Sequence, residues 1–238
     1  YFQSFTNTYG NVDYLEKIFT EAINHPDIVC LSIGTRPDCL PDDVIDLLNR
    51  LNKIKPVWIE LGLQTIHEDT ATYINRGYTL NIFDDAVSKL NAIGVEVIVH
   101  LILGLPYETE SDILESVSYV CNKPISGIKL QLLHILKNTP LEKEYLLNKF
   151  HVFSLEEYAT LLGKCICTIP KNIVIHRITG DGPKSLLIEP QWSGNKKLVL
   201  NYINKYFNDM DISLMDSALL AHWACATTKP KKKQKISY

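Results

Sequence analysis

Four stretches of this sequence carry the same two-faced alternation, and that repetition constrains the fold more than anything else in it. Side chains two apart share one face of a strand. One face collects Ser32, Gly34 and Arg36, then Glu60, Gly62 and Gln64, then His100, Ile102 and Gly104, then Lys129 and Gln131. The other collects Val29, Leu31 and Ile33; Ile59, Leu61 and Leu63; Val97, Val99 and Leu101; Ile128, Leu130 and Leu132. A flat doubly wound sheet is covered by helices on both sides and would be apolar on both. One polar face in strand after strand points instead to a barrel or half-barrel with helices outside. Such a barrel works at the carboxyl ends of its strands, where the loops converge.

The elements between these stretches fit that reading. The pattern predicts a strand over Tyr1–Thr8, a helix over Val12–Asn24, and a strand over Ile28–Thr35. Pro41-Asp42-Asp43 opens a helix that buries Val44, Leu47, Leu48 and Leu51, with Pro and acids in its first turn. A strand over Val57–Gln64 leads to one or two helices over Glu68–Leu90, interrupted near Arg76-Gly77-Tyr78. A strand over Val95–Leu103, a helix over Ser111–Cys121 and a strand over Gly127–Leu136 follow. Strand–helix alternation with short connections argues for parallel strands.

Beyond Leu136 the pattern changes. A helix is expected over Leu141–Asn148, a second opening on the capping box Ser154–Glu157, a strand over Ile173–Ile178, and a helix over Lys196–Phe207. The expected division is a barrel over 1–140, an extension over 141–210 that packs on it, and a tail over 211–238 that is disordered from about 227.

The 238 residues suffice for one sizeable core, and a net charge of −3 gives no general affinity for nucleic acid. The basic run Lys229–Lys235 reads as a solvated tail. No stretch is long and apolar enough to span a bilayer. Six cysteines without disulfide-scaffold spacing imply a reducing, cytoplasmic setting. Cys165 and Cys167 match no common metal knuckle, so no metal site is expected from them.

Several residues could carry chemistry. Arg36, in the turn Gly34–Asp38, has the planar fork that suits carboxylate or phosphate. Glu60 faces inward, where Lys129 or Arg36 could pair with it. Gln64 ends its strand and suits hydroxyl groups. Arg76 could clamp a carboxylate. His100 lies inward near the rim, and Gly104-Leu105-Pro106 would let backbone approach a flat ligand. Lys129, Gln131 and Arg177 line the expected substrate space; His176 and Arg177 should face opposite ways, one of them toward the rim. From these residues alone the chain reads as a polar-lined partial barrel that binds a small anionic ligand.

Taken in order, YFQSFTNTY, SIGTRPDCLPDDV, ELGLQT with NRG, HLILGLPYET, GIKLQLLH and HRITGDGP resemble the bacterial radical S-adenosylmethionine (SAM) proteins described as Fe–S oxidoreductases. The same landmarks are distantly similar to oxygen-independent coproporphyrinogen III oxidase and to the catalytic subunit of Elongator. The resemblance implies an α/β fold: a partial (β/α)6 TIM-like barrel, here without strand 1, with a C-terminal α/β extension. Strand 1 of the family is followed by a C-x3-C-x2-C loop that holds a [4Fe–4S] cluster. No cysteines here have that spacing, and Tyr1 falls where family strand 2 begins. The resemblance therefore implies a cluster-binding segment ahead of this chain, without which the chain is inactive.

It also implies cofactor-binding roles. Asn7 and Thr8 match the end of family strand 2 that meets the methionine amino group, Gln64 a ribose-contacting Gln, and Arg76 an Arg for the methionine carboxylate. Gly34 stands where relatives have a ribose-binding Glu, and His100 where one has a ribose-binding Asp. Gly104–Pro106 matches the turn beside adenine, with Leu133 supplying a backbone contact. With its cluster segment the protein would cleave SAM to a 5′-deoxyadenosyl radical and abstract hydrogen from a small-molecule or RNA substrate. An electron donor such as flavodoxin or ferredoxin is implied, and no membrane. The alternative is a non-catalytic barrel that binds a nucleotide-like ligand or RNA.

Overall fold

The computed structural model describes residues 1–3, 6–148, 150–180, 182–210 and 212. Five parallel strands form one sheet, in the order β1 (Leu31–Thr35), β2 (Val57–Gln64), β3 (Glu96–Leu103), β4 (Gly127–Leu132) and β6 (Val174–Arg177). Between and after them run α1 (Val12–Asn24), α2 (Asp42–Asn52), α3 (Glu68–Tyr73), α4 (Leu80–Ala92), α5 (Glu110–Cys121), α6 (Pro140–Asn148), α7 (Leu155–Thr168) and α8 (Lys196–Asp209). A two-stranded antiparallel ribbon, β5 (Ile135–Leu136) with β7 (Leu187–Glu189), stands apart from the sheet.

The apolar parity of each strand is the helix-covered core: Ile33, Ile59, Leu61, Leu63, Val99 and Leu130 are inaccessible to solvent. Phe19 of α1 and Phe83 of α4 are equally sealed from water, each contributing about 1.5–3 kcal/mol by burial. Helix starts are fixed locally. Asn11 caps α1 by accepting from the backbone N–H groups of Asp13 and Tyr14 at 2.9 and 3.2 Å. Reciprocal capping boxes open α5 (Thr109 with Asp112) and α7 (Ser154 with Glu157). The interruption expected near Arg76 is real, since α3 ends at Tyr73 and α4 begins at Leu80.

Four expectations need correction. The strand expected over Tyr1–Thr8 is reduced to one parallel bridge, Phe2 with Ile33; Asn7 and Thr8 form a turn instead, and Ser4 and Phe5 lie outside the described residues. The strand expected over Gly127–Leu136 is two. Its last part leaves the sheet after Leu132 and pairs antiparallel with β7. Strand 174–177 is hydrogen-bonded to β4, so the segment after residue 140 extends the barrel sheet itself. The fourth concerns β6, where a bulge between Ile128 and Lys129 aligns Arg177 with Lys129. Two residues then oppose one, and His176 and Arg177 do not alternate: His176 stacks edge-on against Trp58 at 5.4 Å, over Gly127, while Arg177 joins Lys129. The expected tail lies outside the described residues apart from Ile212. Among the described residues no helix is long and apolar enough to cross a membrane.

Candidate functional site

The polar face converges on Glu60. Its Oε2 accepts from Lys129 Nζ at 2.5 Å, from the Tyr1 hydroxyl at 2.5 Å and from His100 Nε2 at 2.9 Å, and its Oε1 accepts from the Ser32 hydroxyl at 3.0 Å. Gln131 Nε2 lies 3.0 Å from His100 Nδ1 and completes the chain. Burial alone would raise the Glu60 carboxyl, but the bonds from His100, Lys129 and Tyr1 outweigh it and hold the group well below the usual carboxylate range. Burial pushes His100 below its ordinary value, with Lys129 and Arg177 acting the same way. Burial likewise lowers Lys129 against the pull of Glu60. Tyr1 is raised, by burial first and by Glu60 second.

Two cavities open on this face. The smaller, of 290 Å³, is lined by Tyr1, Gly34, Glu60, His100, Gln131 and Arg177 among others. The larger, of 680 Å³, lies toward the strand ends between Tyr73, Arg76, Tyr78, Ile102, Leu105 and Leu133, with Thr139 and Glu144 beyond them. Arg36, Gly62 and Gln64 line both, so the two spaces adjoin.

Gln64 is the notable residue of that junction. Its φ of 71° is in the left-handed region, and the β2–β3 register slips there. A non-glycine residue held so carries a backbone cost that the surrounding structure must offset. Its Nε2 folds back to 2.7 Å from where a Cβ on Gly62 would stand, so a side chain there would displace the amide. The Gln64 amide has no hydrogen-bond partner among the described residues and is available to a ligand.

Other candidates are differently employed. Arg76 is buried and its three guanidinium nitrogens are engaged: Nε with the Tyr78 carbonyl at 2.9 Å, Nη1 with the Thr65 carbonyl at 2.7 Å, Nη2 with Glu68 at 2.9 Å. It also lies over the Tyr78 ring, 4.9 Å from its centre. Arg36 forms a fork with Asp38 at 2.9 and 2.7 Å. The Asn7 amide donates to the carbonyls of Phe2 and Gly34 at 3.1 and 2.8 Å. Thr8 is buried against Thr35 and the Cys39 carbonyl. Gly104, at φ 88°, needs to be glycine for its turn, but the Phe153 ring stands 2.9 Å from its would-be Cβ, where a flat ligand was expected. Leu133 lines the larger cavity while its N–H is given to the Leu103 carbonyl at 3.0 Å.

Gln64, His100, Gln131, Gly34, Arg177 and Leu133 are thus brought to the cavities. Lys129 lies beneath with Glu60, and Asn7, Thr8 and Gly104 brace the walls. Sequence reasoning missed Tyr1 and Tyr78. Tyr78 packs under the cavity with its hydroxyl on the Gly62 carbonyl, and its place in the break between two helices was the available signal.

The described thiols are not arranged for iron. Cys30, Cys39, Cys121, Cys165 and Cys167 are free. Burial pushes Cys30 and Cys121 up to about 11 and Cys165 up to about 12, away from the thiolate that binds metal. Among the described residues the one group of three potential ligands is His67, Asp112 and Glu115, which contains no cysteine.

Comparison with known proteins accounts for the fold. Residues 4–120 match the radical SAM superfamily and residues 125–209 the radical SAM C-terminal domain. The chain is 46% identical to the uncharacterized protein YtqA of Bacillus subtilis over 86% of its own length, and spans 64% of that relative. It is 34% identical to protein YhcC of Escherichia coli, covering 94% of this chain and 72% of YhcC. The structure of the Methanocaldococcus infernus Elp3 with an N-terminal deletion superimposes with a TM-score of 0.73 at 18% identity, over 87% of this chain and 53% of that one. The α/β fold with its five-stranded parallel sheet is that of radical SAM TIM-like barrels, and the chain belongs to the radical SAM superfamily.

Proposed function

We propose that this chain binds SAM in the larger cavity and presents it to a substrate held in the smaller one, as part of a radical SAM oxidoreductase. The observation that carries the reading is the shared threshold at Gly62 and Gln64, where a free amide stands between the two spaces. At 680 Å³ the larger cavity has the size of a cofactor site. Its walls suit SAM: apolar Ile102, Leu105 and Leu133 for a purine, and the Gln64 amide for ribose hydroxyls. When bound, SAM would supply hydrogen-atom abstraction at its 5′ carbon, once one electron from an outside donor has broken the sulfur–C5′ bond and released methionine.

The residues of this chain do the positioning. Gln64 orients the ribose, Tyr73 and Tyr78 narrow the space, and Arg76 holds the wall by tying the end of β2 to the α3–α4 connection. In this reading Arg76 shapes the pocket and does not clamp the carboxylate. A [4Fe–4S] cluster does not fit the described thiols. A second reading, in which the barrel binds a nucleotide-like ligand without catalysis, draws on the same cavity.

Calorimetry with SAM tests the binding claim. Gln64→Leu should weaken SAM by about tenfold, the loss of one or two hydrogen bonds in a partly buried site. Unchanged affinity would remove the assignment of the ribose to Gln64.

A further inference from the structure

The smaller cavity holds a cation that no described residue answers. Arg177 lines it, and among the described residues no hydrogen bond or ion pair engages its guanidinium. Glu60, the carboxylate of this cavity's wall, is already saturated by Lys129, His100, Tyr1 and Ser32. The bulge in the β4–β6 register is what brings Arg177 level with Lys129. The rest of the lining is polar: Gln131 and His100 are held to each other, and Gly34 leaves room beside them. A half-buried guanidinium facing a polar space, where the one described carboxylate is already paired with Lys129, favours an anion, because its fork pairs with a planar or tetrahedral oxyanion through two parallel hydrogen bonds.

We propose that the 290 Å³ cavity is an anion subsite anchored by Arg177, which takes a carboxylate or phosphate group of the substrate and so fixes the substrate's reactive end at the Gly62–Gln64 threshold. This rests on the reading above that the smaller cavity is the substrate side, and it adds the substrate's class: a molecule with a terminal oxyanion. The volume is small for a whole substrate of drug size and suits one end of it. The oxyanion sits at the base of the cavity and the remainder points toward the larger one.

The test is calorimetric titration of the full chain with inorganic phosphate and, separately, with malonate, each followed by SAM. Saturable binding of phosphate assigns the phosphate class, and of malonate the carboxylate class. In either case Arg177→Gln should weaken the bound anion by about tenfold or more, the loss of a charge-assisted fork. Arg177→Lys keeps the charge without the fork and should fall between wild type and Arg177→Gln; it also serves if Arg177→Gln does not fold. SAM affinity should be unchanged in both. Saturable binding of neither anion, or binding that survives both substitutions, overturns the subsite. Anion binding lost on substitution, with no SAM binding by wild type, leaves the subsite standing and defeats the cofactor reading instead.

Discussion

The Lys129 ammonium on β4 reaches past β3 to the Glu60 carboxylate on β2, closing to 2.5 Å with both side chains about 5% exposed or less. The contact joins two strands that are not neighbours, so it braces the curvature of the sheet's inner face. Removing one partner strands a charge in the interior, at a cost of about 3–5 kcal/mol. Lys129→Met should therefore destabilise sharply in urea melts. Glu60→Leu with Lys129→Met should recover most of the loss. A single variant no worse than the double would mean that the two charges do not depend on each other.

Acid should weaken this network in two steps. His100 has an ordinary value of 6.5 and Glu60 of 4.5, and both are lowered in the folded chain. Each then binds fewer protons folded than unfolded, so its contribution is full above its unfolded value and is lost as pH falls toward its folded one. The melting temperature should begin to drop near pH 6.5 and drop again below pH 4.5. His100→Gln should abolish the first step and leave the second. A melting temperature that rises on acidification from pH 7 would contradict the assignment.

Arg76 is predicted to matter for stability before affinity. Arg76→Ala removes bonds to two backbone carbonyls and to Glu68, and carbonyls left dry cost about 1–3 kcal/mol each. Arg76→Lys cannot replace the three-way fork and should recover little. Equilibrium unfolding of the two variants checks this; wild-type stability in Arg76→Ala would show that the guanidinium is free for a ligand after all.

Gln64→Gly should separate stability from binding. The left-handed backbone at Gln64 costs of order 1 kcal/mol or more, which glycine avoids. The variant should be as stable as wild type or more so in thermal melts, while its SAM affinity falls. A clear loss of stability would mean that the amide serves the fold.

The inner face was legible in the sequence because strand parity is local: Glu60, Gln64, His100, Lys129 and Gln131 point where their spacing puts them. The helix starts at Asp42 and Leu155 were legible for the same reason. What could not be read depends on contacts distant along the chain. The β6 bulge arises from pairing with β4, and it alone decides that Arg177 levels with Lys129. Phe153 covers Gly104 from the far side of α5 and α6 in sequence. Arg76 was recognisable as an arginine at a helix break, but Thr65, Glu68 and Tyr78 as its acceptors were not. Tyr1 entered the site without belonging to any strand.

The central claim is that SAM occupies the cavity between Ile102, Leu105 and Leu133, and filling that cavity tests it most directly. Calorimetry with the full chain should give saturable SAM binding with one site. Ile102→Trp, which places an indole in the purine space, should abolish it while Arg177→Gln leaves it intact. SAM binding that is absent in wild type, or that persists unchanged in Ile102→Trp, would contradict the account.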